Sequence, residues 1–223
     1  MALPDPRSRI RTDGFARVAP DLVARARALS SATVHEAGGK IGVMPPAIKP
    51  VHPHFRVCGP AVTVQAPPGD NLWLHHAILA AQPGDILVVH CSGAYAHGYW
   101  GEVMSTAAKA RHLGGLVIDG GVRDYLLLEE VGFPVFARGL CIRGTGKDKQ
   151  GLGWVNAPLL FGDLTVHPGD LVIGDNDGVV VVPAARAETV IHASEQRDRD
   201  ELEFCRRLMA GETTLGIYGL DWP

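Results

Sequence analysis

The chain has 223 residues, 46% hydrophobic and 20% charged, enough for one sizeable core, and this excludes disorder as the main state. A net charge of −3 neutralises no phosphate backbone and 6% aromatics build no stacking platform, so nucleic acid is not expected as a partner. Cys58, Cys91, Cys141 and Cys205 form no C-x-x-C pair, no signal core follows Met1, and no apolar run reaches the roughly 18 residues of a membrane helix. A reducing cytoplasm away from membranes is therefore the expected address.

Residues 1–19 read as an irregular or short-helix lead-in. Pro20-Asp21-Leu22 opens a helix with Leu22, Val23, Ala26 and Leu29 on one face. Ser30-Ser31 caps a second helix, over Thr33 to Ala37, ended by Gly38-Gly39. The prolines between Met44 and Phe55 impose extended chain or loop. Strand and helix then alternate: a strand over Val57 to Gln65, a helix over Asn71 to Ala81 with Leu72, His75, Ile78 and Leu79 on one face, and a strand over Ile86 to Cys91. After a loop through Tyr99 come a helix from Gly101 to Leu113, a strand over Leu116 to Asp119 closed by a Gly-Gly turn, a helix over Arg123 to Val131, and a strand over Pro134 to Arg138. Short strands follow near Val155, at Leu164 to Val166, Leu171 to Gly174 and Val179 to Val182, and a long polar helix spans Ala184 to Ala210 before a tail. Pro83-Gly84-Asp85 and Pro168-Gly169-Asp170 are matching tight turns that each feed an apolar strand. No linker divides the chain, so residues 1–223 read as one α/β domain.

Two segments carry the chemistry. Trp100-Gly101-Glu102-Val103-Met104 opens a helix, whose free backbone N–H groups suit a carboxylate or phosphate. Asp119-Gly120-Gly121-Val122-Arg123-Asp124 ends a buried strand and starts the next helix. In consecutive β-α units both fall at the carboxyl edge of the sheet, where ligands collect. Together they offer amide donors, a guanidinium and two carboxylates, as a small 2-oxo acid and a divalent metal require. Few strong ligands besides carboxylate favour Mg²⁺ or Mn²⁺ over Zn²⁺.

Glu102, twenty intervening residues and then Arg123-Asp124 resemble the signature of the RraA-like class II pyruvate aldolases. These are the 4-hydroxy-4-methyl-2-oxoglutarate / 4-carboxy-4-hydroxy-2-oxoadipate aldolases. The resemblance spans about Ser31 to Gly219 and includes Gly59-Pro60-Ala61-Val62-Thr63-Val64, Pro134-Val135-Phe136-Ala137-Arg138-Gly139, Asn156-Ala157-Pro158, His167-Pro168-Gly169-Asp170 and Asp175-Asn176-Asp177-Gly178-Val179. It implies a layered β/α, swivelling-domain-like single domain with a long C-terminal helix. It implies that Asp124 ligates the metal and that Arg123 steadies the pyruvate enolate. The backbone amides of Val103 and Met104, beside Gly101, would receive the pyruvate carboxylate. Glu102 stands where the family often has Asp, to orient metal-bound water; Glu201 matches an acid reaching a neighbouring subunit's site, and Glu36 stands where an acid is common. Asn71, near a helix start at the same edge, is a candidate substrate contact or simply a cap. The implied activity is metal-dependent cleavage of a 4-hydroxy-2-oxo diacid to pyruvate plus oxaloacetate or pyruvate, within aromatic-acid degradation, with oxaloacetate decarboxylation alongside. The implied assembly is a homotrimer or homohexamer, and Val190, Ile191, Leu202, Phe204 and Leu208 of the last helix would be its contacts.

Two alternatives stand beside it: a non-catalytic ribonuclease regulator of the same fold, which lacks the aspartate of the Arg-Asp pair, and a lyase or decarboxylase for another 2-oxo acid. A Schiff-base mechanism through Lys109 or Lys147, metal binding by His52, His54, His75 and His76, and a phosphate loop at Gly144-Thr145-Gly146-Lys147 are weighed and set aside.

Overall fold

The computed structural model describes residues 6–220. A single 3-10 turn, Pro6–Arg9, precedes α1 (Pro20–Ala26) and α2 (Ser31–Ala37). Ser30 caps α2 through its hydroxyl, which accepts the Thr33 N–H at 3.0 Å. The remaining helices are α3 (Leu72–Ala80), α4 (Glu102–Ala110), α5 (Tyr125–Val131), α6 (Ala187–Met209) and α7 (Thr214–Tyr218). The strands are β1 (Lys49–Pro50), β2 (Val57–Gln65), β3 (Ile86–His90), β4 (Gly98–Trp100), β5 (Gly115–Val122), β6 (Val135–Leu140), β7 (Trp154–Val155), β8 (Leu159–Phe161), β9 (Leu164–Val166), β10 (Leu171–Asp175) and β11 (Gly178–Val182).

Nine of these strands form one sheet along the path β1-β6-β5-β3-β2-β10-β11, with β4 on β5 and β7 on β2. The central strands β2, β3, β5 and β6 run parallel; β1, β10 and β11 run antiparallel to their neighbours. The two ends of the path return toward each other: β1 lies against β10 and β11, and the Lys49 Nζ donates to the Asp177 carbonyl at 2.5 Å. The result is a nearly closed, barrel-like mixed sheet with a long C-terminal helix.

Burial explains the strand sequences. Ile86, Leu87, Val88 and Val89 of β3 and all eight residues of β5 are buried, as expected for parallel strands covered on both faces. In β10 the residues alternate. Val172 joins the main core, whereas Leu171 and Ile173 join a second cluster with Val23, Val34, Val190 and Ile191 of α1, α2 and α6. Only the first third of α6 is held this way. Its buried residues are Ala187, Val190, Ile191 and Ser194; Leu202 is 73% and Met209 90% exposed.

The structure corrects several boundaries. β4 lies in the stretch read as loop, β8 and α7 are additional, and Ala184–Arg186 is a 3-10 turn before α6 proper. Gly120-Gly121 do not close β5 but lie within it, at a register shift between Ile118 and Gly121 against β6. Arg123 and Asp124 precede α5 instead of beginning it. The buried residues of α3 are Trp73, Leu74, Ala77 and Ile78, while Leu79 is 68% exposed. This helix is apolar nearly all round, so its sequence selects no face.

Candidate active site at the β4–α4 and β5–α5 turns

The buried strand β5 delivers Arg123 and Asp124 to the start of α4. The Arg123 N–H donates to the Trp100 carbonyl at 2.9 Å, which ties the end of β5 to β4. The chain then turns at Asp124, whose φ of 63° and ψ of 39° place it in the left-handed region. Among non-glycine residues Asp and Asn tolerate that region best. Asp124 stands at the N-cap position of α5 yet makes no cap bond to its own helix. Its Oδ2 accepts instead from the Glu102 N–H, at 3.1 Å, and so caps the neighbouring helix α4. The positive end of the α4 dipole stabilises the carboxylate there. The Arg123 Nε lies 3.8 Å from the same oxygen, with the two side chains 49% and 34% exposed. Both of these contacts fall on Oδ2, and the side chain as a whole is 34% exposed.

Glycine is required at 101 for this arrangement. Its φ of −161° is ordinary extended chain, but a Cβ there would sit 2.1 Å from the Asp124 Oδ2 and 3.2 Å from the Arg123 Cγ. Gly98 is equally constrained, since a Cβ would lie 2.3 Å from the Cys141 carbonyl. The start of α4 is held from within by the Trp100 indole N–H, which donates to the Ser105 Oγ at 2.6 Å. The Ser105 N–H closes the first helical bond, to the Gly101 carbonyl at 3.0 Å. With the Glu102 amide given to Asp124 and the Ser105 amide to the helix, the N–H groups of Val103 and Met104 remain as donors without a helical partner. Val103 is 77% exposed; the Met104 side chain is buried.

The structure thus brings Gly101, Glu102, Val103, Met104, Arg123 and Asp124 together. Asn71 approaches from behind: it is 6% exposed and its amide donates to the Tyr99 carbonyl at 2.9 Å and contacts the Met104 sulfur at 3.5 Å. It buttresses β4, while Asp70 rather than Asn71 caps α3 by accepting the Leu72 N–H at 2.8 Å. Glu201 is engaged elsewhere, with its carboxylate 2.8 Å from the Arg197 Nε on α6, which packs against α1 and α2. No hydrogen bond or ion pair links it to Arg123 or Asp124. Glu36 faces Lys40 at 3.7 Å. Lys109 is spent on the end of α5, donating to the Val131 carbonyl. Among the described residues no three His, Cys, Asp or Glu side chains cluster as a metal-binding set.

Further polar groups stand at this edge, and the sequence reading gives Gln65, His90, Asp119 and Arg138 no role of their own. Gln65, His90 and Asp119 occupy one row across β2, β3 and β5, and the Arg138 Nε extends it by donating to the Asp119 Oδ1 at 2.5 Å. Arg138 also lies over the Tyr95 ring at 3.9 Å. Burial lowers the His90 pKa below the usual imidazole value. It also pushes the Tyr99 phenol up to about 12, and the neutral hydroxyl donates to the Ala94 carbonyl while accepting the Gly69 N–H. The signal that could have found Asp119 is a lone acid following the apolar Leu116-Val117-Ile118.

A family model described as RraA-like, Aldolase/RraA, matches residues 22–181. The chain belongs to this RraA-like family. A Halalkalibacterium halodurans relative provisionally named 4-hydroxy-4-methyl-2-oxoglutarate aldolase is 33% identical over 181 residues, 81% of this chain and 85% of its own length. Among solved structures, an uncharacterised protein from Pseudomonas syringae pv. tomato is similar with a TM-score of 0.77 at 27% identity, covering 92% of this chain and 100% of that one. Streptomyces coelicolor RraAS2, titled an unusual member of the RNase ES inhibitor RraA protein family, reaches 0.74 at 30% identity, covering 86% of this chain and 99% of its own. No helix among the described residues is long and apolar enough to cross a membrane.

Proposed function

We propose that the protein is a divalent-metal-dependent pyruvate aldolase, cleaving a 4-hydroxy-2-oxo diacid such as 4-hydroxy-4-methyl-2-oxoglutarate or 4-carboxy-4-hydroxy-2-oxoadipate. The observation that carries this reading is the shared turn. Asp124 is fixed on the Glu102 amide through Oδ2 and Arg123 lies beside it, while the Val103 and Met104 amides have no helical partner. One accessible carboxylate without histidine or thiolate neighbours fits a hard cation, Mg²⁺ or Mn²⁺, which completes its shell with water and substrate oxygens. When bound, the metal supplies Lewis-acid polarisation of the substrate's 2-oxo group.

The protein's own residues account for the rest. The Val103 and Met104 N–H groups bind the carboxylate next to the 2-oxo group. Glu102, in the first turn of α4, orients a water that takes the proton from the 4-hydroxyl. As that proton leaves, C4 becomes a carbonyl, the C3–C4 bond breaks and its electron pair passes into the pyruvate enolate. The Arg123 guanidinium neutralises the oxygen on which the charge develops, an electrostatic contribution of about 3 kcal/mol for a well-placed donor. Protonation at C3 then releases pyruvate. Oxaloacetate decarboxylation passes through the same enolate and is expected at the same site. Glu201 of a second copy is proposed to enter the site, in a homotrimer or homohexamer whose contacts include the exposed apolar residues of α6.

The test measures pyruvate release from either diacid through coupled lactate dehydrogenase. Activity should vanish on exhaustive chelation and return with Mg²⁺ or Mn²⁺. Full activity in the chelated protein would end the metal reading, and no pyruvate from either substrate would end the aldolase reading.

A further inference from the structure

Helix α5 follows Asp124 directly but is poorly held by apolar packing. Of its seven residues only Leu128 is buried, and Leu126 and Leu127 are 67% and 39% exposed. Its position nevertheless governs the acid. The Leu128 N–H donates to the Asp124 carbonyl at 2.9 Å, and the Arg123 N–H on the other side is fixed to Trp100. Any roll of α5 is therefore absorbed at the single left-handed residue between them.

Two polar side chains, one at each end, hold the helix. At its last turn the Lys109 Nζ donates to the Val131 carbonyl. At its first turn stands His52, 1% exposed. Its Nε2 lies 2.8 Å from the Tyr125 carbonyl, an acceptor only, so this nitrogen carries the hydrogen and donates. The imidazole also stacks on the Tyr125 ring, at 4.1 Å and 29°, and meets the Phe55 ring edge-on at 5.2 Å. The other nitrogen, Nδ1, faces the Glu129 carboxylate of α5 at 3.6 Å, which His54 approaches at 4.0 Å. His52 is itself anchored on the sheet. Val51 before it donates to the Val135 carbonyl of β6 at 2.9 Å, and the buried Phe55 closes a turn onto the His52 carbonyl at 3.0 Å.

We infer that His52 is a positioning residue for Asp124: it transmits the rigidity of the β1–β6 edge to the first turn of α5 and so fixes the acid against the α4 amide. This rests on the metal-site reading above. Groups that orient a ligand from behind change metal affinity or activity by about tenfold or more when removed.

The experiment compares His52→Leu, which removes the donor, with His52→Gln, whose amide nitrogen can reach the same carbonyl. Ile191→Ala, on the buried face of α6, serves as a destabilised control remote from α5. In the full-length protein, Mn²⁺ affinity by calorimetry, kcat and KM for pyruvate release, and amide exchange at Leu128 are read together with Tm. His52→Leu should weaken Mn²⁺ binding about tenfold, lower kcat and speed Leu128 exchange, as expected for a support behind a ligand. His52→Gln should restore all three, and Ile191→Ala should lower Tm alone. If His52→Leu does not fold, His52→Asn, too short to reach the carbonyl, takes its place. Leu128 exchange unchanged in His52→Leu, Mn²⁺ affinity in His52→Leu equal to that of a wild type that binds Mn²⁺, or a glutamine variant as impaired as the leucine one would each overturn the inference. If wild type itself binds no Mn²⁺ while His52→Leu still speeds Leu128 exchange, the metal-site reading falls and the clamp on α5 stands.

Discussion

Substituting Gly101 by alanine tests the site with the smallest change available. Position 101 has extended backbone that alanine adopts without strain, so any effect comes from one methyl group. Built on the present backbone, that methyl lies 2.1 Å from the Asp124 Oδ2 and 3.1 Å from its Cγ. The carboxylate must retreat by about 1 Å, the scale of misplacement that costs roughly a hundredfold in rate. Retreat also breaks the 3.1 Å bond from the Glu102 N–H, a charge-assisted contact worth about 1.5–3 kcal/mol. The Asp124 side chain is 34% exposed, so water recovers part of this, and the loss of stability should stay near or below 2 kcal/mol. We therefore expect a folded protein, a Tm lowered by a few degrees, and pyruvate release reduced at least about fiftyfold. Rates come from the coupled dehydrogenase assay and folding from circular dichroism. A variant that cleaves the substrate at the wild-type rate would refute the claim that the Asp124 carboxylate, held on the α4 amide, is what the reaction needs.

Asp124→Asn keeps a residue that accepts the left-handed conformation but removes the charge; Mn²⁺ binding by calorimetry should fall below detection while Tm changes little, and retained Mn²⁺ affinity would move the metal elsewhere. The Asp175 carboxyl is under opposing influences. Burial raises its pKa, but bonds from the Ser31 Oγ at 2.6 Å and the Ser31 N–H at 2.8 Å prevail and hold it below the usual carboxylate range. An acid with a depressed folded-state pKa stabilises above its unfolded value, near 3.9, and this contribution is lost as pH falls through the folded value. Ser31→Ala should thus cost about 1–2 kcal/mol near neutrality, and the Tm gap to wild type should narrow in acid; a gap constant from pH 7 to pH 3 would refute the assignment. Leu202→Glu with Met209→Glu, on the exposed stretch of α6, should shift the mass seen by light scattering toward the monomer, whereas an unchanged mass would show that this stretch is not an assembly contact.

The legible parts of the chain are those where one physical signal dominates. Continuous runs such as Ile86-Leu87-Val88-Val89 announce strands covered on both faces, and Ser30 before an apolar turn announces a capped helix. β4 is too short for any periodicity, and it forms because Gly98 lets the Cys141 backbone approach and Asn71 takes the Tyr99 carbonyl. The face of α3 is set by what surrounds it, since Leu72-Trp73-Leu74 and Ala77-Ile78-Leu79 offer apolar groups in every direction. At the site, the identities of Glu102, Arg123 and Asp124 are visible in the sequence. That the aspartate caps a helix other than its own, and that Gly101 makes room for it, depends on two turns meeting in space. His52 is invisible for the same reason: its partners Tyr125 and Glu129 are more than 70 residues away.

Family membership alone does not separate the chemistry of an aldolase from the surface of a ribonuclease inhibitor, because both names occur among the relatives. The distinction must come from the site. A surface that only binds another protein has no need of a carboxylate in a left-handed turn or of a glycine beside it where any side chain would displace that carboxylate. Such local strain persists only where surrounding contacts enforce it. Here they do: Trp100 holds Arg123, the α4 amide holds Asp124, and the Asp124 carbonyl receives the Leu128 amide. Of these three contacts the α4 amide is the one that reaches the carboxylate, at Oδ2. That arrangement suits the cation-assisted enolate chemistry proposed above, and it favours the proposed catalytic reading over the purely associative one.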